Sequence, residues 1–247
     1  MKASEIPLEL AVVIPVYNEG SHLKEVFEPW FKVLKELDIS YCLLFLNDGS
    51  SDDTAAVLAE IEAEEGSSVQ VINKANSGHG QTCLRGYELA LEMNPEWVFQ
   101  IDSDGQCDSS LFREFWEERG NSDCIFGVRE TRDDGLSRSF VSFVLRSVGV
   151  LIGRVDGRDL NVPYRLMRGA VLRKILDEFY PRGVELVNVR LTLVFKKQAA
   201  LRWRYVPIRF LERSGGECSL NWWKICVFGL VAVKEIFLFR KNCRRSG

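Results

Sequence analysis

The segment Phe99-Gln100-Ile101-Asp102-Ser103-Asp104-Gly105-Gln106 is an apolar run that ends abruptly in charged residues. Such a run predicts a strand buried on both faces, with the carboxylates of Asp102 and Asp104 at its C-terminal end. In open α/β sheets, ligands bind outside the carboxyl ends of the strands. Paired carboxylates suit Mg²⁺, which typically takes one or two of them together with substrate phosphates. A capped strand end or an acidic turn would look the same, so the rest of the chain must decide.

Other apolar runs also end in turn-forming residues, and stretches at helical spacing separate them. The runs that predict strands are residues 10–16, 41–46, 69–73 and 124–128. Regular alternation of strand and helix predicts a mostly parallel sheet covered on both faces. The predicted fold class is therefore α/β, with a Rossmann-like central sheet. Further along, the pattern predicts helices over 137–153, up to residue 180 and over 184–197, and a strand over 203–209.

The composition predicts one globular domain. The chain has 247 residues, 46% of them hydrophobic and 27% charged, which is enough apolar material for a real core. We expect this domain to span residues 1–220, with a C-terminal helix over 221–247. A formal net charge of −3 gives no reason to expect nucleic acid as a partner. The seven cysteines lack CxxC spacing, so neither a zinc site nor a disulfide framework is indicated.

Both ends of the sequence bear on localisation. Residues 1–10 lack the basic flank and apolar core of a signal peptide, which predicts a cytoplasmic protein. The longest apolar run near the C-terminus, residues 225–233, is far short of the ~20 residues that a spanning helix needs. That run is flanked by Trp222, Trp223, Arg240, Lys241, Arg244 and Arg245. Such flanks are typical of an amphipathic helix on an anionic membrane surface, and a helix packed on its own domain or on a partner subunit is an equal alternative.

Four ordered motifs at predicted strand ends resemble those of the family 2 glycosyltransferases of GT-A fold. Within that family they resemble the dolichyl- or polyprenyl-phosphate sugar transferases. The motifs are Val13-Ile14-Pro15-Val16-Tyr17-Asn18-Glu19, Asn47-Asp48-Gly49-Ser50-Ser51-Asp52, Asn76-Ser77-Gly78-His79-Gly80 and Asp102-Ser103-Asp104-Gly105-Gln106. The resemblance covers residues 10–220. It implies a UDP- or GDP-linked sugar as donor and a divalent metal, Mg²⁺ or Mn²⁺, as cofactor.

The resemblance also implies which residues hold the donor and the metal. Asp48 would accept hydrogen bonds from uracil or guanine, and the chain around Pro15 and Glu19 would hold the base and ribose. The full set of nucleotide-sugar-binding residues is Pro15, Tyr17, Glu19, Asp48, Gly78, Asp102 and Ser103. The implied metal ligands are Asp102, Asp104 and Gln106.

Positions that the polyprenyl-phosphate branch uses around the acceptor phosphate have counterparts further along the chain. The expected acceptor-binding residues are Arg129, Arg138, Ser142, Arg165 and Arg213. Arg129 and Arg138 could clamp a phosphate bidentately. The chain departs from the branch at Pro163-Tyr164-Arg165, where Gly-Phe-Arg is usual, and its segment after Arg213 keeps the closing motif only in part.

The nature of the acceptor decides whether a general base is needed. A phosphate oxygen is already anionic and needs none, whereas a hydroxyl acceptor does, and Asp159 is then the first candidate. A buried salt bridge between Asp159 and Arg165 would explain both residues equally well. The expected catalytic residues are Asp104, Arg129, Arg138 and Asp159.

The first functional hypothesis is an inverting transfer of sugar to a polyprenyl phosphate, on the cytosolic face of the membrane, by a peripheral protein. The second is transfer to a hydroxyl of a saccharide in surface polysaccharide synthesis. A nucleotidyltransferase would share the nucleotide-binding architecture and the metal carboxylates, and a non-catalytic interaction module would share only the fold. A homo-oligomer or a membrane-protein partner is compatible with each hypothesis.

Overall fold

The computed structural model describes residues 7–129, 160–179 and 186–211. The strands in these ranges are β1 (Leu10–Val16), β2 (Tyr41–Asp48), β3 (Val69–Lys74), β4 (Trp97–Ile101), β5 (Cys124–Arg129), β6 (Tyr164–Arg168) and β7 (Trp203–Ile208). They form one sheet of seven strands in the order β3-β2-β1-β4-β6-β5-β7.

The prediction of a mostly parallel sheet is confirmed. Strands β3, β2, β1 and β4 are parallel to their neighbours, and so are β5 and β7. Only β6, inserted between β4 and β5, is antiparallel to the strands beside it in the described sheet. The sequence argument assigned no element to residues 164–168, because Arg165 and Arg168 interrupt the apolar pattern there.

Helices cover the described sheet. They are α1 (Leu23–Glu36), α2 (Thr54–Glu65), α3 (His79–Glu92), α4 (Phe112–Glu118), α5 (Gly169–Phe179) and α6 (Val187–Lys197). Helix α3 begins at His79, within the motif Asn76-Ser77-Gly78-His79-Gly80. Gly78 precedes it with a φ of 85°, in the left-handed region that favours glycine, so the chain turns into the helix earlier than its apolar spacing suggests.

An aromatic cluster fixes strand β4, which leads to the paired carboxylates. The ring of Phe99 on β4 lies 4.7 Å from that of Phe112 and 4.9 Å from that of Tyr164, centroid to centroid. Trp30 of α1 packs against the same three rings. Aromatic pairs of this kind contribute about 0.5–1.5 kcal/mol each beyond their buried area. The cluster therefore holds the end of β4 rigidly against α1 and α4.

Helix α3 lies unusually close to the sheet at Gly86. A Cβ atom at this position would lie 2.3 Å from Cγ1 of Val13 and 2.9 Å from Cδ1 of Leu46. Only glycine therefore allows this approach of the helix to β1 and β2. The close packing places the start of α3 beside the C-terminal ends of those strands.

Some sequence predictions lie outside the described residues. They are the helix over 137–153, the domain boundary at 220 and the amphipathic helix over 221–247. Among the described helices, none combines the length and the apolar character needed to cross a bilayer.

Candidate active site

A cleft of about 380 Å³ opens where β1, β2 and β4 end and α3 begins. It is lined by Pro15, Val16, Tyr17, Glu19, Asp48, Asn76, Gly78, His79, Thr82, Asp102, Ser103 and Asp104. All the residues predicted from the resemblance to hold the donor line this cleft, and so does Asp104. Tyr17 is 51% exposed, more than the other aromatic side chains of the described ranges. Its ring is available to a flat ligand.

The end of β1 is braced by the turn that follows β2. The main-chain N–H of Asn18 donates to Oγ of Ser50 at 3.0 Å, and the N–H of Ser51 donates back to Oδ1 of Asn18 at 2.8 Å. The N–H of Glu19 donates to Oγ1 of Thr54 at 3.0 Å. These bonds fix two edges of the cleft relative to each other. The second motif therefore has a structural task besides any contact with a ligand.

Asp48 binds the loop before α3. Its Oδ1 accepts from the side chain of Lys74 and from the N–H of Ser77 at 2.9 Å, and its Oδ2 accepts from the N–H of Gly78 at 3.0 Å. Burial raises the pKa of this carboxyl, but the hydrogen bonds from Lys74, Ser77 and Thr82 outweigh it and leave the pKa below its usual value. Asp48 is therefore ionised at neutral pH. Oδ2 of Asp48 could still accept a second hydrogen bond, for example from the base of a nucleotide in the cleft.

Lys74 was not singled out from the sequence. Its Nζ also donates to the carbonyl of Ala75 at 2.8 Å, to Oγ of Ser77 at 2.7 Å and to Oγ1 of Thr82 at 3.2 Å. Strand pairing would have found it, because Lys74 lies opposite Asp48 in the parallel register of β2 and β3. It joins the ends of both strands to α3.

Asp102 is held through one of its oxygens. Oδ1 accepts from Nε2 of His79 at 3.0 Å and from Nε2 of Gln100 at 3.1 Å. Gln100 is fully buried, and its Oε1 accepts from the hydroxyl of Tyr87 at 3.4 Å. The hydrogen bonds that described residues make to this carboxylate all go to Oδ1. The carboxylate is thereby oriented by α3 on one side and by β4 on the other.

His79 favours its cationic form at the cleft. The nearby Cys83 sulfur and the Asp102 carboxylate raise the pKa of His79 well above its usual value, against the opposing effect of burial. The Cys83 sulfur lies 3.8 Å from both ring nitrogens. The imidazole is still 53% exposed, so solvent screens part of its attraction to Asp102. In the sequence His79 stood out only as part of the motif Asn76-Ser77-Gly78-His79-Gly80.

Asp104 and Gln106 form a tight turn after β4. The N–H of Gln106 donates to Oδ1 of Asp104 at 3.1 Å. The side-chain amide of Gln106 donates to the carbonyl of Leu211 at 3.5 Å, and the main-chain carbonyl of Gln106 accepts from the N–H of Leu211 at 2.9 Å. Gln106 does not line the cleft. Its contacts fasten the turn to the chain beyond β7.

The carboxylates fit a hard divalent ion that takes part of its coordination from elsewhere. Among the residues described, no group of three or more His, Cys, Asp and Glu side chains is arranged to hold a metal alone. Asp102 and Asp104 nevertheless share one cleft. An ion such as Mg²⁺ needs only one or two carboxylates when phosphates and water complete its shell. These two aspartates are the residues that would hold it.

Of the expected acceptor residues, the structure places two. Arg129 ends β5 and its guanidinium lies 4.9 Å above the ring of Phe210. Arg165 is fully buried, and it donates to the carbonyls of Val162, Asn188 and Leu160 at 2.6–2.9 Å. A side chain so placed has no surface to offer an acceptor phosphate.

The structure thus argues against Arg165 as an acceptor contact. Its guanidinium instead satisfies main-chain carbonyls that would otherwise be buried without a donor. The other residues named for this half of the site lie outside the described ranges. They are Arg138, Ser142, Asp159 and Arg213.

Comparison with known proteins agrees with this geometry. The architecture is the GT-A fold: a mixed α/β sheet whose cleft opens at the carboxyl ends of the parallel strands. Residues 11–178 match the family described as Glycosyl transferase family 2, and the chain belongs to that family.

Two curated relatives share a name. Undecaprenyl-phosphate 4-deoxy-4-formamido-L-arabinose transferase from Klebsiella pneumoniae is 30% identical over 221 residues, covering 88% of this chain and 64% of the relative. The protein of the same name from Sodalis glossinidius is 32% identical over 171 residues, covering 68% of this chain and 50% of the relative. The chain therefore spans about half to two thirds of the length of these relatives.

A solved structure shows the same fold. Glucosyl-3-phosphoglycerate synthase from Mycobacterium tuberculosis, in complex with Mn²⁺, uridine-diphosphate-glucose and phosphoglyceric acid, superposes with a TM-score of 0.61. It is 17% identical, and the superposition covers 95% of this chain and 80% of that one. At this identity the likeness establishes the fold alone.

Proposed function

We propose that this protein transfers a sugar, with inversion, from a UDP- or GDP-linked donor to a polyprenyl-phosphate-type acceptor on the cytosolic face of a membrane. The observation that carries the proposal is the cleft itself. It combines an exposed aromatic ring at Tyr17, an ionised and oriented carboxylate at Asp48, and the carboxylates of Asp102 and Asp104. Family membership and the names of the curated relatives support it.

Each part of the cleft has a task in this reaction. Tyr17 would cover the face of the base, and Oδ2 of Asp48 would accept an N–H from its edge. Asp102 and Asp104 would hold a divalent cation, which supplies positive charge to the departing nucleoside diphosphate. His79 lies on the same side of the cleft, where its Nε2 donates to Oδ1 of Asp102. Departure of the nucleotide is the step that this arrangement favours.

The acceptor half of the proposal rests on Arg129 and on the relatives. Arg129 lies at the end of β5, on the side of the sheet where β4 also ends, and its guanidinium can bind phosphate in a bidentate manner. Both curated relatives are named for transfer involving undecaprenyl phosphate. An anionic phosphate oxygen attacks without a general base. The proposed chemistry therefore needs no base among the described residues.

The test is product analysis after a donor screen. Sugar nucleotides are first ranked by thermal stabilisation of the full chain with Mn²⁺, since a bound ligand raises apparent stability. The best donor is then incubated with a short-chain polyprenyl phosphate or with free saccharides. A lipid-linked sugar and a nucleoside diphosphate support the proposal. A sugar on a saccharide hydroxyl would assign the second hypothesis, and pyrophosphate release would assign nucleotidyl transfer. No product from any pair would refute glycosyl transfer.

A further inference from the structure

We infer that His79 is a positioning residue for the metal site: it holds Asp102 so that the carboxylate meets a divalent cation through Oδ2 alone. This inference rests on the proposed function, because it assigns a task within the same cleft. It adds a residue from outside the paired-carboxylate motif. Oδ1 of Asp102 already accepts from His79 and Gln100.

The direction of the hydrogen bond is fixed by chemistry. A carboxylate that ligates a metal ion is deprotonated and can only accept, so in the proposed site Nε2 of His79, 3.0 Å from Oδ1, is the donor. Gln100 donates to the same oxygen at 3.1 Å. With both donors in place, Oδ1 is saturated and Oδ2 remains for a ligand in the cleft. Positioning contacts of this kind fix the orientation of metal-binding side chains.

The two hydrogen-bond donors to Asp102 differ in burial. Gln100 is fully buried on β4 and its own amide oxygen accepts from Tyr87. His79 stands at the first residue of α3, half exposed, and packs against Cys83 one turn further along the helix. It is thus the donor that can be replaced without disturbing the core. It also connects the glycine-rich loop to the end of β4.

The experiment compares Mn²⁺ binding to protein saturated with the nucleoside diphosphate of the best donor, followed by the paramagnetic resonance signal of free Mn²⁺, with the nucleotide alone as the blank. His79→Ala is expected to weaken binding about 10-fold or more, as the loss of a positioning contact does at other metal sites. His79→Gln keeps an N–H donor at a similar reach and should restore most of the affinity. His22→Ala, at the only other histidine of the sequence, is the matched control and should bind as the wild type does. In turnover, His79→Ala should raise the Mn²⁺ concentration for half-maximal rate while the rate at saturation recovers.

A second measurement uses the wild-type protein. Bound Mn²⁺ should broaden the imidazole signals of His79 in NMR spectra more strongly than those of His22, because of the two histidines only His79 touches a proposed metal ligand. Equal Mn²⁺ affinity of wild type and His79→Ala, or tighter binding by the variant, would overturn the inference while leaving the proposed function standing. Equal broadening of both histidines would overturn it as well. If wild type transfers sugar without binding Mn²⁺, the inference and the metal part of the proposed function fall, but glycosyl transfer does not.

Discussion

Asp48 and Lys74 end neighbouring parallel strands, lie opposite each other in the strand register, and form an ion pair that is largely shielded from solvent. The side chain of Asp48 is 5% exposed and that of Lys74 is 19% exposed. The pair also binds the N–H groups of Ser77 and Gly78, which lead into α3. It therefore sets the position of the glycine-rich loop relative to the sheet. Stability and the shape of the cleft depend on the same two charges.

Lys74→Met should destabilise the protein by about 3 kcal/mol, because it leaves the buried Asp48 charge without its cation. Urea unfolding of both proteins at neutral pH measures the difference. The matched control is Lys24→Met, which removes an ion pair with Glu60 and Glu64 on the exposed faces of α1 and α2. That variant should unfold at nearly the wild-type urea concentration. A similar loss in both variants would contradict a special role for the Asp48–Lys74 pair.

Stability should fall in acid partly through Asp48. The folded-state pKa of this carboxyl lies below its usual value of 3.8. The contribution of Asp48 to the free energy of unfolding is therefore complete above pH 3.8 and is lost as the pH falls through the folded-state pKa. Asp48→Asn should therefore be less stable than wild type at neutral pH, and the gap should narrow in acid. Urea midpoints between about pH 7 and pH 3 test this.

Other carboxyl groups share the same sign, so the variant is needed to isolate Asp48. The pKa of Asp52 is lowered by hydrogen bonds from Thr54 and Gly20 in spite of burial, which raises it, and the pKa of Asp123 is lowered first by Arg202. Their contribution to acid sensitivity remains in Asp48→Asn. A gap between the two proteins that stays constant from neutral pH into acid would contradict the assignment to Asp48.

Arg165→Met should unfold more easily by about 3 kcal/mol and leave acceptor recognition unchanged. The substitution removes the donor to three main-chain carbonyls, two in the segment before β6 and one in the first turn of α6. Thermal unfolding gives the first quantity. The KM for the acceptor, measured at a temperature where the variant stays folded, gives the second. A large rise in that KM with unchanged stability would restore the original assignment of Arg165 to the acceptor.

The family resemblance named the residues of the donor half, which follow apolar runs, and their role in binding a donor stays a prediction. The ends of β1, β2 and β4 converge at one edge as soon as the sheet is parallel, which brings Glu19, Asp48 and Asp102 to one cleft. The contacts that position those residues could not be predicted from the spacing of apolar residues. The pairing of Lys74 with Asp48 depends on strand register, and the bond of His79 to Asp102 depends on how closely α3 approaches the sheet at Gly86.

The acceptor half was harder for a different physical reason. In the sequence, a buried arginine such as Arg165 cannot be told from an arginine that binds phosphate. Its three carbonyl partners in the structure distinguish the two roles. Strand β6 also contradicts simple alternation, since both of its arginines interrupt an otherwise apolar segment. An antiparallel strand inserted between β4 and β5 cannot be inferred from a regular succession of strands and helices.

Asp104→Asn should lose at least about 100-fold in transfer rate while remaining folded, because it weakens the site that stabilises charge on the departing diphosphate. The amide keeps the shape of the side chain and its oxygen can still accept from the N–H of Gln106. Steady-state assays with the best donor from the thermal screen measure the rate, and circular dichroism checks the fold. Wild-type protein in excess EDTA should show a comparable loss.

The matched control for Asp104→Asn is Asp108→Asn, which alters a nearby aspartate outside the cleft. Asp108 caps the short turn before α4, where its Oδ1 accepts from the N–H of Ser110 at 2.9 Å. Its substitution removes the same formal charge from the same loop region but should leave the transfer rate close to that of wild type. If both variants lose activity equally, the general charge of the loop matters and not a site at Asp104. Full turnover by Asp104→Asn, or full turnover of wild type in EDTA, would end the metal assignment, because Asp102 and Asp104 are the two carboxylates after β4 that line the cleft.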